Sequence, residues 1–178
     1  MGDSASIEAL KILAPVLSAY YICSMSSTDP KEPAQSIGRK LLSVDYGTKA
    51  VGLAMFSPAQ DPYPLPCARL NYKSDTALLQ DLLRMVREES VTAVVLGVPR
   101  LLDGKETTMT RRILAFGEKL EAALKPLPLY RQDESLSSFE AEERMKSSAR
   151  YNFKVDPRQI DSLAAVIILE DFIKQQKQ

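Results

Sequence analysis

Residues Leu41 to Ala54, LLSVDYGTKAVGLA, restrict what this chain can become more than any other stretch. Two short apolar runs flank a bend that carries Asp45, Gly47, Thr48 and Lys49, which predicts a strand hairpin with one carboxylate at its turn. The second run continues through Met55 and Phe56 until Ser57-Pro58 ends it, because proline cannot donate to a ladder. A proline-rich bend, Asp61 to Pro66, then leads to a short third strand over Cys67 to Tyr72. Three strands joined by short loops imply an antiparallel meander.

Beyond Tyr72 the period changes. Ser74 and Asp75 start a helix with Leu78, Leu79, Leu82, Met85 and Val86 at helical spacing. Val91 to Val98 is the continuous apolar run expected of a strand covered on both faces, ended by Gly97-Val98-Pro99. After a turn at Asp103-Gly104, the stripe Met109, Ile113, Phe116, Leu120 and Leu124 marks a second helix, stopped by Pro126. Leu127 to Arg131 reads as the fifth strand. Ser137 with Glu140 has the spacing of a capping box and starts a third helix reaching about Ser148. Asp156-Pro157 opens the last helix, whose apolar face is Ile160, Leu163, Ala164, Ile167, Ile168 and Phe172. The expected fold is α/β: a five-stranded mixed sheet, three antiparallel strands then two parallel, flanked by helices, since β-α-β crossovers lay helices on the sheet faces.

Composition narrows the chemistry. The 178 residues contain no histidine, which removes Ser-His and Cys-His nucleophiles, imidazole bases and histidine-held zinc. The formal charge is zero, so any nucleic-acid site must be a local patch. Cys23 and Cys67 are far apart with no CxxC spacing, which suggests no disulfide framework and a reducing compartment. Chemistry must therefore run on carboxylates, hydroxyls, lysines or a metal held by oxygen.

Residues 1–38 differ from the rest and read as an N-terminal extension, with the folded domain expected over 39–178. The apolar run from Ile12 to Cys23 is broken by Pro15 and falls short of the roughly 20 residues that span a bilayer, so no membrane span is expected. Residues 24 to 38 have linker composition. Scattered serines leave an organellar signal, plastid or mitochondrial, open beside a plain extension, and a cytoplasmic setting follows if it is no signal. Met1-Gly2 with Ser6 fits the short and unspecific myristoylation pattern.

Three acidic positions fall at element ends: Asp45, Asp133-Glu134, and Asp161 in the last helix. Carboxylates converging at strand ends can hold Mg²⁺ or Mn²⁺, and two such ions can clamp an in-line phosphoryl displacement without histidine. Each acid also has a plainer reading. Asp45 can be a turn residue satisfying its own backbone, and Asp133 or Glu134 an ordinary loop acid. Asp161 is harder to dismiss, since Asp156 already fills the cap and residue 161 lies beyond the first turn, where the helix dipole rewards an acid. Between the last two helices, Arg144, Lys146, Arg150, Lys154 and Arg158 interleave with Tyr151 and Phe153. That is either an edge for single-stranded nucleic acid or a solvated loop with its aromatics folded inward. Arg100, Lys105, Arg111 and Arg112 form a second basic group.

Taken together, VDYGTKAVGLA (44–54), VVLGVPRLLDG (94–104), QDESLSSFEAEERM (132–145) and IDSLAAVIIL (160–169) resemble the four ordered motifs of the YqgF family. Its members are nucleases assigned to precursor 16S ribosomal RNA, also described as Holliday-junction-resolvase-like, with a ribonuclease-H-like fold. The resemblance covers about residues 39–174. It implies a metal-dependent endonuclease acting on precursor ribosomal RNA or branched DNA, with Mg²⁺ or Mn²⁺ as cofactor. Asp45 would be the first-strand catalytic aspartate and ligand to both ions, Glu134 and Asp161 would complete the cage, and Asp133 is the alternate ligand. Thr48, Lys49, Arg100, Arg111, Arg112, Arg150 and Lys154 would contact nucleic acid. Ser135 stands where the family usually has arginine, Ser137-Ser138 where threonines are common, and Arg100-Leu101 replace a leucine-asparagine-like pair. These departures bear on substrate contacts and leave room for a non-catalytic RNA- or ribosome-associated scaffold. A nucleotide-binding module of the sugar-kinase or actin type shares D-x-G-T-K but needs a second related half, which this chain lacks. Monomer and homodimer both remain open.

Overall fold

The computed structural model describes residues 39–99, 106–134 and 137–176. The expectations for the extension 1–38, the Asp103-Gly104 turn, Arg100, Lys105 and Ser135 lie outside the described residues.

The meander forms as expected: β1 (Leu41–Tyr46), β2 (Ala50–Phe56) and β3 (Leu65–Asn71) pair antiparallel in sequence order. The helix α1 (Asp75–Glu88) then crosses to β4 (Ala93–Val98), which pairs parallel to β1. A second crossover, α2 (Thr108–Leu124), delivers β5 (Leu129–Asp133) parallel to β4. The chain closes with α3 (Ser137–Ser147), a 3-10 turn at Ala149–Tyr151, and α4 (Pro157–Gln175). The resulting sheet has the order β3-β2-β1-β4-β5. β1 therefore lies at its centre and carries Asp45 into the middle of the C-terminal edge.

Alternation along the strands divides the interior into two layers. Leu42, Val44, Tyr46, Val51, Leu53, Val94, Leu96 and Val98 face α1 and α2. Leu41, Ala54, Phe56, Ala93 and Val95 face α3 and α4. On α4 the expected single stripe is too narrow, because every residue from Ser162 to Leu169 is buried. The helix is sandwiched between the sheet and α3, and a helix covered all round shows little amphipathic period. Two serines tie it down: the Ser43 hydroxyl donates to the Ala165 carbonyl at 2.6 Å and the Ser162 hydroxyl to the Ala68 carbonyl at 2.9 Å.

Four boundaries differ from expectation. β3 runs from Leu65 to Asn71 and takes in Pro66 of the expected bend, and β4 starts at Ala93 rather than Val91. β5 begins at Leu129 and extends to Asp133, because β4 remains extended to Val98 and offers it a partner there. Ser137 is itself the first residue of α3, whereas a capping box appears at Thr107 and Thr110, before α2. At the hairpin bend, Gly47 has no room for a β-carbon, which would overlap the Ala50 carbonyl oxygen.

Candidate active site

Register builds the site from one row of residues across the sheet. Asp45 pairs with Gly52, and Gly52 pairs with Arg69. On the other side Val44 pairs with Leu96, which brings Asp45 level with Gly97, and Gly97 pairs with Gln132. Directly paired residues share a face, so Arg69, Gly52, Asp45, Gly97 and Gln132 all look toward α4.

The two glycines flanking Asp45 set the row's geometry. A β-carbon on Gly52 would overlap the backbone of Asp161 and Ser162, so the missing side chain lets the first part of α4 settle against β2. A β-carbon on Gly97 would overlap the Glu134 carboxylate and come within 2.6 Å of Ile168 Cδ1. Glu134 therefore folds back over β4, into the gap beneath α4. Its own N–H continues the β5 ladder by donating to the Val98 carbonyl at 3.4 Å. The glycines thus admit one acid from α4 and one from the end of β5 on either side of the acid on β1.

Electrostatics follow from this crowding. Burial first, and then the charge of Asp161, pushes the Asp45 carboxyl up to about 7. Burial, then Asp45, then Asp133, pushes Glu134 up to about 9. Glu134 Oε2 is buried and has no hydrogen-bond partner among the described residues. A buried polar atom without a partner is costly, and a bound water or ion is one way to relieve that cost.

Asp161 is stabilised differently. Its Oδ2 accepts a hydrogen bond from Arg69 Nε at 2.7 Å, in an ion pair that solvent partly reaches. Arg69 Nη1 also donates to Asn71 Oδ1 at 3.3 Å. The donors around the gap are hard carboxylate oxygens, which suit a divalent cation. Among the described residues, however, no three acids form a ready cage for a metal ion. The third acid is already occupied by a guanidinium.

The structure thus brings Asp161 and Glu134 each within electrostatic reach of Asp45. Asp133, paired with Val98, lies at the strand end and is exposed, and its charge still reaches Glu134. Thr48 and Lys49 are exposed on the bend just beyond Asp45. Arg150 and Lys154 are exposed in the segment that leads to α4, and Arg111 is exposed on α2. Arg112 is not brought to this face: it donates to the Tyr46 hydroxyl at 3.1 Å and the Tyr72 hydroxyl at 2.8 Å, on the α1/α2 side. Sequence reasoning missed Arg69 and the two glycines. Arg69 lies in an edge strand of weak pattern, and only its register with Gly52 joins it to the acids.

The order of motifs is matched by a family model. The model described as "RuvX: Holliday junction resolvase" fits residues 39–175. The chain belongs to the RuvX family. A relative from Maridesulfovibrio salexigens is 37% identical over 134 residues, covering 75% of this chain and 97% of the relative. One from Lactobacillus johnsonii is 31% identical, covering 76% and 95%. Both carry the provisional name of pre-16S rRNA nuclease. The fold of this RuvX-family chain is also similar to that of Thermus thermophilus RuvC in complex with a Holliday junction. The TM-score is 0.51 at 10% identity, with 77% of this chain and 96% of RuvC covered. That likeness extends the ribonuclease-H-like architecture to the present chain, and no helix among the described residues is long and apolar enough to cross a membrane.

Proposed function

We propose that this chain is a divalent-metal-dependent endonuclease that hydrolyses phosphodiesters of structured nucleic acid, with precursor ribosomal RNA as its substrate. The observation that carries the reading is the unpartnered, buried oxygen of Glu134 beside Asp45, two acids whose carboxyls burial and neighbouring acids raise above the usual range. Perturbed carboxylates gathered at a strand edge are the signature of a working site. Asp45 and Glu134 would hold the ion, Mg²⁺ or Mn²⁺, with Asp161 joining when it leaves Arg69. Bound there, the ion would supply a water nucleophile at neutral pH and neutralise charge on the phosphate. Gly52 and Gly97 keep the acids close, and Lys49 and Thr48 at the exposed bend face the approach of the phosphate backbone. RNA is favoured by the names of the relatives, and a four-way DNA junction is the second substrate because of the family's description.

The test is cleavage of precursor 16S RNA and of a four-way DNA junction by purified protein with Mn²⁺ or Mg²⁺. Cleavage is expected to need the metal and to fall by on the order of 10³-fold in Asp45→Asn, the scale of the several kcal/mol a metal contributes. Both substrates left intact, together with unaltered Mn²⁺ binding by Asp45→Asn, would refute the reading.

A further inference from the structure

The segment between α3 and α4 builds a projecting aromatic ring. Ser148 caps the 3-10 turn, its hydroxyl accepting from the Arg150 N–H at 3.3 Å. The N–H groups of Tyr151 and Phe153 both donate to the Ser148 carbonyl, at 3.1 and 3.2 Å. Those of Asn152 and Lys154 donate to Ala149 and Tyr151, each at 3.0 Å. The turn is closed by its own backbone.

Two consecutive residues in it, Asn152 and Phe153, have φ of 52° and 57°. Asparagine tolerates this left-handed region, but a phenylalanine there sets its β-carbon against the following carbonyl. The unfavourable backbone gains no burial in return. Tyr151 and Val155 pack against the core beneath α4, whereas the Phe153 ring stands outward with 63% of its surface in water. Packing would favour turning the ring in or placing glycine there.

The ring is bracketed by cations. On α3, Arg144 is engaged by Glu140 and Glu170, and Lys146 by Glu142 and Glu143. Arg150 and Lys154, one on either side of Phe153, are exposed and pair with no carboxylate among the described residues, Arg150 lying 5.9 Å from the Tyr151 ring. The turn feeds α4, whose residue Asp161 is four positions past Pro157, about 6 Å along the axis at 1.5 Å per residue. Phe153 and the candidate acids therefore lie toward the same end of that helix.

We infer that Phe153 is a stacking platform for an unpaired base of a single-stranded segment, with Arg150 and Lys154 holding the adjoining phosphates. An exposed ring between two exposed cations that pair with no carboxylate among the described residues matches a base and its backbone. A duplex hides its base faces, so the platform selects single-stranded loops and ends. Nucleic acid as the partner class rests on the proposed function, but the platform itself needs neither metal nor turnover.

The experiment measures binding of the full chain to a labelled single-stranded oligoribonucleotide and to a duplex of the same sequence, in EDTA. Phe153→Ala is expected to weaken single-strand binding by roughly 5- to 100-fold, the range for loss of one stacked base, with duplex binding little changed. Phe153→Tyr should retain it. Phe153→Gly should lose the binding while melting at or above the wild-type temperature, since glycine accepts the positive φ, so a folding defect cannot mimic the effect. Arg150→Gln and Lys154→Gln should each reduce the slope of log K against log salt by about 0.7. Wild-type affinity in Phe153→Gly would overturn the inference, as would a change in oligomeric state at unchanged RNA affinity, which would assign the ring to contact between copies. A protein that binds through Phe153 in EDTA but cuts nothing with Mn²⁺ would retain the platform and lose the nuclease. One that cuts as well in Phe153→Gly and binds single strands equally would do the reverse.

Discussion

Asp45 and Tyr46 are neighbours in β1 and face opposite sides of the sheet, where polar groups meet opposite treatment. On the α1/α2 side, the Tyr46 hydroxyl donates to Asp75 Oδ1 at 2.7 Å and Tyr72 donates to the same oxygen at 2.9 Å. Lys119 Nζ reaches the other oxygen at 3.2 Å, and Arg112 closes the network over both rings. Burial opposes the charge on Asp75, but the hydrogen bonds from Tyr46, Tyr72 and Lys119 outweigh it and hold that carboxyl below its usual range. On the α4 side, burial and neighbouring acids lift Asp45 and Glu134, and one oxygen is left unpartnered. A satisfied network stabilises a fold, whereas an unsatisfied one is retained at a cost in stability where a ligand can relieve it. Under the proposed function, Asp45 is the working residue of the adjacent pair and Tyr46 the bracing one.

The largest test of that contrast is Gly52→Ala. The added methyl must displace the start of α4, so stability should fall by about 3 kcal/mol in urea unfolding, at the upper end of overpacking costs. Mn²⁺ affinity should fall with it, because Asp161 rides on the same turn. Unchanged stability would mean that the helix is not held by its approach to β2.

The pH dependence of the metal-free protein comes next. Asp45 and Glu134 have raised values in the fold, so the folded state binds more protons than the unfolded chain from just above pH 4 up to their folded values. Their contribution is fully present below the unfolded values and is lost as pH rises through about 7 and then about 9. The melting temperature in EDTA should therefore drop between pH 5 and pH 9, by on the order of 5 °C or more. Adding Mn²⁺ at pH 8 should restore it. A flat profile in EDTA would remove the electrostatic half of the comparison.

Arg69→Gln sharpens the picture further. With the guanidinium gone, Asp161 loses its protein counter-ion and the site becomes more negative, so Mn²⁺ should bind about 2- to 5-fold tighter by calorimetry, the scale of a partly exposed ion pair. Weaker binding would instead make Arg69 the residue that aims Asp161 at the metal. The smallest effect belongs to the bracing side. Tyr46→Phe should cost about 1 kcal/mol of stability, one net hydrogen bond, and leave Mn²⁺ affinity unchanged.

Much of this molecule was legible in residue order. The bend at Asp45, the caps at Ser74 and Asp156 and the proline at the start of the last helix are local signals, and each element formed where its signal stood. Asp161 stood out because no local rule explained it. The end of β5 and the full burial of α4 were not legible, since a strand extends as far as its neighbour offers bonds and a helix is buried by what lies across from it. Arg112 looked like Arg111 in sequence, and only tertiary contact assigned it to two tyrosines.

The sequence alone therefore determined the elements, their order and the three acidic positions, because these rest on periodicity, capping and chemistry within a few residues. Tertiary structure alone decided that Gly52 and Gly97 flank Asp45, that Glu134 folds over β4 and that Arg69 holds Asp161. Those facts depend on register across the sheet and on how closely α4 approaches it, and neither quantity is encoded at any single position along the chain.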